Sequence, residues 1–328
     1  MFLRPLGGER RAAAFCELGS KLPIPAYPVA GGDMLMDSVR RFLFEDLDIR
    51  GAMVSLGNAW HEMSAGRDDP PAVQALLGEL TAVTTLIAGN LKTPGRLGCQ
   101  LRGHGLVSLL LVDCDEQLQL RGTARHADAV HLSRGAPADA VPAAGHFIPP
   151  APTFAELLGD GQLTLMLQTG RGDPYQSVVP LVGDSLKAVF EHYLVQSEQQ
   201  PAWLFLTADD QFAGGLFLQK LPDADTKDPD GWNRLMHLAA TLKPAELRES
   251  PAKLLMILFP EENIRLFDPR PVRYHCPRDE EMVLAMLKSM GRAEIEAALA
   301  EQGELAIEDE ICRHSYRYGR EIVPRLFD

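Results

Sequence analysis

Between residues 71 and 91 the side chains Val73, Leu76, Leu77, Leu80, Val83, Ile87 and Leu91 recur with a 3.6-residue period. This pattern predicts one long helix with a buried stripe, opened by Asp69-Pro70-Pro71. The next stretch of chain has the other period. Leu97-Cys99-Leu101, Leu106–Val112 and Leu118–Ala124 are separated by Gly103-His104-Gly105 and by Asp113-Cys114-Asp115-Glu116, which reads as an antiparallel meander. Gln162–Thr169 and Tyr175–Leu181 flank Gly170-Arg171-Gly172-Asp173-Pro174 and read as a hairpin. A helix from about Asp184 to Ser197 and a second hairpin, Ala202–Thr207 with Gly214–Gln219, close the pattern. A long helix among antiparallel strands predicts an α+β core with packed helices.

The flanks are organised differently. Asp37 reads as the N-cap of a helix from about Ser38, with Val39, Phe42 and Leu43 on one face. After Pro222 the chain reads as helices with polar joints through about Phe267, followed by a cysteine-bearing segment. The expected division is 1–35, a tail without packed structure or an early-assigned start; 36–222, an α+β core; 223–270, a helical connector; and 271–328, a small C-terminal module. Residues 133–152, rich in Pro and Ala, read as a loop.

Composition narrows the function classes. The 328 residues are 46% hydrophobic and 23% charged, with a net charge of −13. That is a globular balance, and the acidity argues against nucleic acid as a partner. The apolar runs Leu106–Val112 and Leu254–Phe259 are far shorter than the roughly 20 residues of a membrane span. No secretory signal is expected in residues 1–33. The five cysteines, at 16, 99, 114, 276 and 312, are an odd, scattered set, which predicts a reducing cytoplasm and core or turn thiols at Cys99 and Cys114.

Motifs for catalysis are thin. Gly183-Asp184-Ser185-Leu186 matches the nucleophile signature of a lipase and esterase superfamily, with Ser185 as the attacking hydroxyl. The Asp-x-x-His such enzymes carry downstream occurs here only upstream, at Asp128 and His131. Capping of the following helix by Asp184 or Ser185 is the simpler reading. His61-Glu62 lacks a second histidine, because Ala65 stands there. His126 and His131 read as surface residues. Gly214-Gly215 reads as close packing or a bulge. Catalytic residues are therefore not expected.

Several segments together resemble the 33-kDa heat-shock chaperone family, the redox-regulated bacterial holdases. They are Arg41-Phe42-Leu43-Phe44-Glu45 with Ile49-Arg50-Gly51; Tyr175 through Leu186, with Glu191-His192-Tyr193 and Gln196-Ser197-Glu198-Gln199; Ala213 through Pro222; Arg265 through Pro269; and Ala300-Glu301-Gln302-Gly303. The match keeps order and spacing over about residues 36–320. The resemblance implies ATP-independent holding of unfolded or oxidatively damaged client proteins, with a homodimer in the active state. It also implies four C-terminal thiolates that bind zinc when reduced and pair on oxidation, unfolding the module and its connector.

Laid on this chain, the family's Cys-x-Cys falls on Cys276-Pro277-Arg278, and its Cys-x-x-Cys on Asp309-Glu310-Ile311-Cys312. The outer thiols remain, while Arg278 and Asp309 replace the inner two. A guanidinium cannot ligate a cation, so zinc is expected to be lost or weak, unless His275, Asp309 or His314 is recruited. The resemblance would make Arg278 and Asp309 neighbours, an expected ion pair beside Cys276 and Cys312. If those two thiols meet, one disulfide would staple the module instead of releasing it. The alternative is two free thiols left after loss of the switch. From Ala293 to Glu310 there are seven acidic residues and no basic one, expected as a solvated face. The competing functions are a serine esterase using Ser185 and a binding protein for a single partner derived from the chaperone.

Overall fold

The computed structural model describes residues 37–127, 151–170 and 174–327. The expected tail, and all but the last two residues of the expected 133–152 loop, lie outside them.

The described residues open with strands β1 (Ser38–Phe44) and β2 (Ile49–Leu56), then helices α1 (Asn58–Ser64) and α2 (Pro71–Asn90). The meander comes next as β3 (Gly95–Arg102), β4 (Val107–Cys114) and β5 (Gln119–His126). After the short helix α3 (Phe154–Leu158) come the hairpin β6 (Gln162–Thr169) and β7 (Tyr175–Pro180), helix α4 (Leu186–Glu198), and the hairpin β8 (Ala202–Ala208) and β9 (Ala213–Lys220). The strands form two sheets. One runs β1-β2-β9-β8 and the other β5-β4-β3-β6-β7. The predicted α+β core is present.

Helix α2 lies between the sheets and packs on both. Its burial is not confined to one stripe. Val73, Leu77 and Leu80 are buried, and so are Gly78, Thr81, Thr84, Thr85 and Gly89 on the remaining faces. The threonine hydroxyls cost little there, because each donates to the carbonyl four residues earlier: Thr81 to Leu77 at 2.7 Å, Thr84 to Leu80 at 2.7 Å and Thr85 to Thr81 at 2.6 Å. By length and composition this helix could cross a membrane, yet 72% of its most apolar window is buried inside the protein. Gly78 is required by contact: a Cβ there would come within 2.4 Å of the Ala208 Cβ. Gly214-Gly215 is the close approach expected from sequence, since a Cβ on Gly215 would meet Leu206, the Phe205 carbonyl and Leu86 of α2.

Residues 38–44 correct the expected helix. They form a strand because both of its faces are buried. Val39 faces the α2 core, while Phe42 and Phe44 enter a second core on the far side of the sheet. Apolar residues at 39, 42 and 43 therefore imitate a helical spacing. Asp37 does cap a helix, but a different one. Its carboxylate accepts from the backbone N–H groups of Gly57 and Ala59, at 2.5 and 2.8 Å, at the start of α1.

The second core is built by the connector. Helices α5 (Ala224–Lys227), α6 (Gly231–Ala239) and α7 (Pro251–Leu258), with the 3-10 turn Pro244–Arg248, come after the core strands. Leu235, Leu247, Leu254, Leu255 and Phe259 cover Phe42, Phe44, Ile49, Met53, Leu216 and Leu218 on the outer face of the first sheet. Phe259 meets Phe44 edge to face at 5.1 Å. The helical reading to Phe267 runs too far. Ile264–Leu266 is strand β10, pairing with β1, and Arg270–Pro271, β11, pairs with the same strand. The chain then crosses to the other sheet, where β12 (Arg273–Tyr274) runs parallel to β5. Pairings of two or three residues carry no periodic signal.

The C-terminal module holds α8 (Glu280–Met290), α9 (Arg292–Gln302), β13 (Leu305–Glu308), β14 (Ser315–Tyr318) and α10 (Ile322–Phe327). It has its own small core of Val283, Leu287, Ile295, Leu299, Leu305, Tyr316, Tyr318, Ile322 and Leu326.

One carboxylate in α2 is held against its chemistry. Burial alone pushes Glu79 up from 4.5 to about 7. The folded state thus favours the neutral acid. Its contribution is fully present below about pH 4.5 and is lost as pH rises through about 7. Glu79→Gln should flatten that fall and leave the variant more stable than the parent at pH 8 by about 3 kcal/mol, measured by urea denaturation across pH.

Candidate functional site

The two C-terminal cysteines reach one place by different routes. Cys276 lies just past β12, where the backbone N–H of His275 donates to the Leu120 carbonyl at 2.9 Å and holds the segment along the β5 edge. Cys312 sits in the turn joining β13 to β14. That turn is closed by the Asp309 N–H donating to the His314 carbonyl at 2.9 Å and by the Arg313 N–H donating to the Asp309 carbonyl at 2.6 Å. Arg313 completes it with a φ of 54°. The Cα atoms of Cys276 and Cys312 are 5.7 Å apart and the two sulfurs are joined in a disulfide.

The replacement residues point elsewhere. Asp309 Oδ1 accepts from the backbone N–H groups of Ile311 and Cys312, at 2.9 and 3.3 Å, so its carboxylate shapes the turn that presents Cys312. Arg278 lies over the Tyr316 ring, 5.5 Å from its centroid. The Tyr316 hydroxyl in turn accepts from the Asp279 N–H at 3.1 Å. Among the described residues the structure does not bring Arg278 and Asp309 together as an ion pair. The resemblance would set them side by side on a metal, but here each satisfies its charge locally.

The donor set does not fit zinc. Tetrahedral zinc needs four ligands, and among the described residues no three His, Cys, Asp or Glu side chains gather closely enough to share a cation. His314 Nε2 is 2.7 Å from the Cys276 carbonyl oxygen. An oxygen acceptor requires Nε2 to carry the proton, which removes its lone pair from ligation. Asp309 is committed to two amides, and the Arg278 cation lies on the adjoining ring. His275 is exposed, with its backbone tied to the core sheet.

The cysteine turn is docked on the core domain. The Thr123 hydroxyl donates to the Glu310 carbonyl at 2.9 Å. Arg67 Nη2 reaches the Ile311 carbonyl at 3.5 Å, Arg313 donates to the Gly66 carbonyl, and Arg125 pairs with Glu310. Arg67 is the organiser, with its side chain only 4% exposed. It donates to the Met63 carbonyl at 3.0 Å, to the Gly122 carbonyl, and to Thr123 Oγ1 at 3.3 Å. Burial lowers its pKa, and the charge of Asp69, 3.8 Å away, opposes that shift. Asp69 also meets His126 Nε2 at 3.1 Å. Arg67 and Thr123 hold the cysteine turn, and the sequence reading missed both. They come from a loop and a strand 56 residues apart, and no local pattern links them to Cys312.

The other candidates resolve as packing. Cys99 and Cys114 are buried free thiols, with Cys99 pushed up to about 12 by burial and Cys114 also pushed up. Neither offers a thiolate. The Ser185 hydroxyl accepts from the Ala188 N–H at 3.4 Å and donates to Asp184 at 3.3 Å, which is helix capping. Among the described residues no histidine hydrogen-bonds to it. Asp128 and His131 lie outside the described residues.

The docking bonds set an expectation. Thr123→Val should weaken the seam by about 1 kcal/mol, the usual net worth of one hydrogen bond. Limited proteolysis should then cut faster within residues 305–318, while the denaturation midpoint of the core stays put.

Comparison with known proteins agrees with this architecture. The family model described as Hsp33 protein matches residues 37–319. The 33 kDa chaperonin of Shewanella sp. (strain ANA-3) is 37% identical over 284 residues, covering 86% of this chain and 93% of that protein. The 33 kDa chaperonin of Pseudomonas paraeruginosa is 36% identical over 298 residues, covering 89% and 94%. The crystal structure of the Thermotoga maritima 33 kDa chaperonin superposes with a TM-score of 0.69 at 18% identity, covering 88% of this chain and 97% of that one.

Proposed function

This chain belongs to the Hsp33 family and is a chaperone, and from that premise we propose that it is an ATP-independent holdase whose switch runs on one disulfide instead of a zinc centre. The observation that carries the holdase reading is the double-faced first sheet. Phe42, Phe44, Ile49, Met53, Leu216 and Leu218 form an apolar surface covered by the connector helices. Detaching the connector would uncover it, and contiguous apolar surface of that kind binds unfolded chains. Unfolded or oxidatively damaged proteins are the clients this reading implies. It places the protein in the cytoplasm and makes it a homodimer when active. A hydrolase built on Ser185 is not favoured, because that hydroxyl is spent on a helix cap.

The switch is proposed to work in the opposite sense to a four-thiol zinc centre. Cys276 and Cys312 close a loop with a sequence separation of 36. Closing it restricts the unfolded module and contributes about 4 kcal/mol in the chain-entropy account. Oxidation would therefore secure the module and reduction would free it. Cys276→Ser/Cys312→Ser should lower the stability of the module and raise basal client holding.

Two measurements test the reading. Light scattering of a chemically unfolded client, diluted into buffer without ATP, should show suppressed aggregation, stronger after thiol reduction or heating than after oxidation. Elemental analysis of the reduced protein should find well under one zinc per chain. A full zinc equivalent, or holding that appears only after oxidation, would overturn the single-disulfide switch. No suppression under any condition would overturn the holdase.

A further inference from the structure

Thiol chemistry is nearly exhausted in the described part of the chain. Cys276 and Cys312 are joined, and Cys99 and Cys114 are buried. Among the described residues, the exposed reduced sulfur is in thioethers. Met166, Met256, Met282, Met286 and Met290 are exposed. Three of these lie on α8 at successive spacings of four, which stacks them along one helix face. They are 57%, 45% and 43% exposed in chain order. The adjoining face of the same helix sends Val283 and Leu287 into the small core of the module.

We propose that Met282, Met286 and Met290 form a modification site for two-electron oxidants of the hypochlorous acid class, and that their conversion to sulfoxides loosens the C-terminal module inside its disulfide-closed loop. In each event the thioether sulfur gains one oxygen atom and is oxidised by two electrons. The hypochlorous acid that donates the oxygen is reduced to chloride and releases its proton. One thioether and one hypochlorous acid thus give one sulfoxide, one chloride and one proton. These thioethers react without any opening of the fold, whereas Met53 and Met63, 1% and 3% exposed, require it.

The structural effect comes from where the helix sits. Methionine is apolar and a good helix former, while its sulfoxide is polar and chiral and disrupts apolar contacts. More than half of the Met286 and Met290 surfaces is covered, so oxygen added there disturbs packing as well as hydration. Helix α8 is also tied to the cysteine turn, because its N-cap residue Asp279 donates its N–H to the hydroxyl of Tyr316 in β14. The disulfide fixes both ends of the segment, so loosening is confined between them. Only the effect on clients rests on the holdase reading; the chemistry and the loosening do not.

The experiment uses the full-length protein with its disulfide intact, treated with a small molar excess of hypochlorous acid and quenched with free methionine. Peptide mass spectrometry should find one added oxygen on each of Met282, Met286 and Met290 before any on Met53 or Met63. Amide hydrogen exchange over residues 280–302 should become about tenfold faster. The M282L/M286L/M290L variant, which keeps helix-forming side chains but cannot be oxidised at these positions, should show no such change. Methionine sulfoxide reductase should restore slow exchange in the parent protein, a check that needs no variant. Oxygen added to Met53 or Met63 as early as to this helix would overturn the proposal, as would three sulfoxides with unchanged exchange. Because the readout is exchange and not client holding, failure of the holdase reading leaves this test intact.

Discussion

The rest of this structure depends on the enclosure of α2. A twenty-residue helix sandwiched between two sheets has little surface left for water, so the polar atoms on its buried faces have to be answered locally. The three buried threonines do this through their own helix carbonyls, and glycines at 78 and 89 let neighbouring elements close in. The enclosure commits the inner face of each sheet to the same core. The first sheet then still has an outer face, because strands β1, β2 and β9 carry apolar residues at both alternations. A sheet patterned in this way must find a second cover, and the connector helices supply it. The latent apolar surface proposed to hold clients is thus a direct consequence of how the central helix is packed.

Sequence patterns disclosed the parts of this arrangement that are local. The α2 period, the meander and both hairpins are visible because each element repeats one geometry along most of its length. The strand β1 is not, because burial on two faces mixes its alternation into a spacing that a helix also satisfies. Asp37 shows the same limit at one residue. Its type announces a cap, but the helix it caps has its N-cap residue Gly57 twenty positions later and is reached only by folding back. The strap β10 to β12 is too short to carry any period.

The cysteine site divides along the same line. Homology in order and spacing located Cys276, Cys312, Arg278 and Asp309 as counterparts, and the structure brings the two thiols to bonding distance. The resemblance set Arg278 and Asp309 side by side, and their opposite charges suggested that they would pair. Nearer partners prevail: an aromatic face for the guanidinium, and two backbone amides for the carboxylate. The docking surface under the turn was invisible for a different reason. Arg67 and Thr123 act through carbonyl oxygens of remote segments, and a carbonyl has no side-chain signature.

The strap from Ile264 to His275 gives the molecule a direction of disassembly. It pairs first with β1, then with β5, and then enters the disulfide, each time through only two or three residues. These attachments are arranged in series, like the stitches of a ripcord. Tension from the C-terminal side loads the docked cysteine turn and the β12 pairing before it reaches β11 and β10, and the connector helices feel it only afterwards. The two sheets and their shared helix lie off this line. The same thread that fastens the module to the core therefore sets the order in which the covers come away, with the central sandwich as the last part to yield.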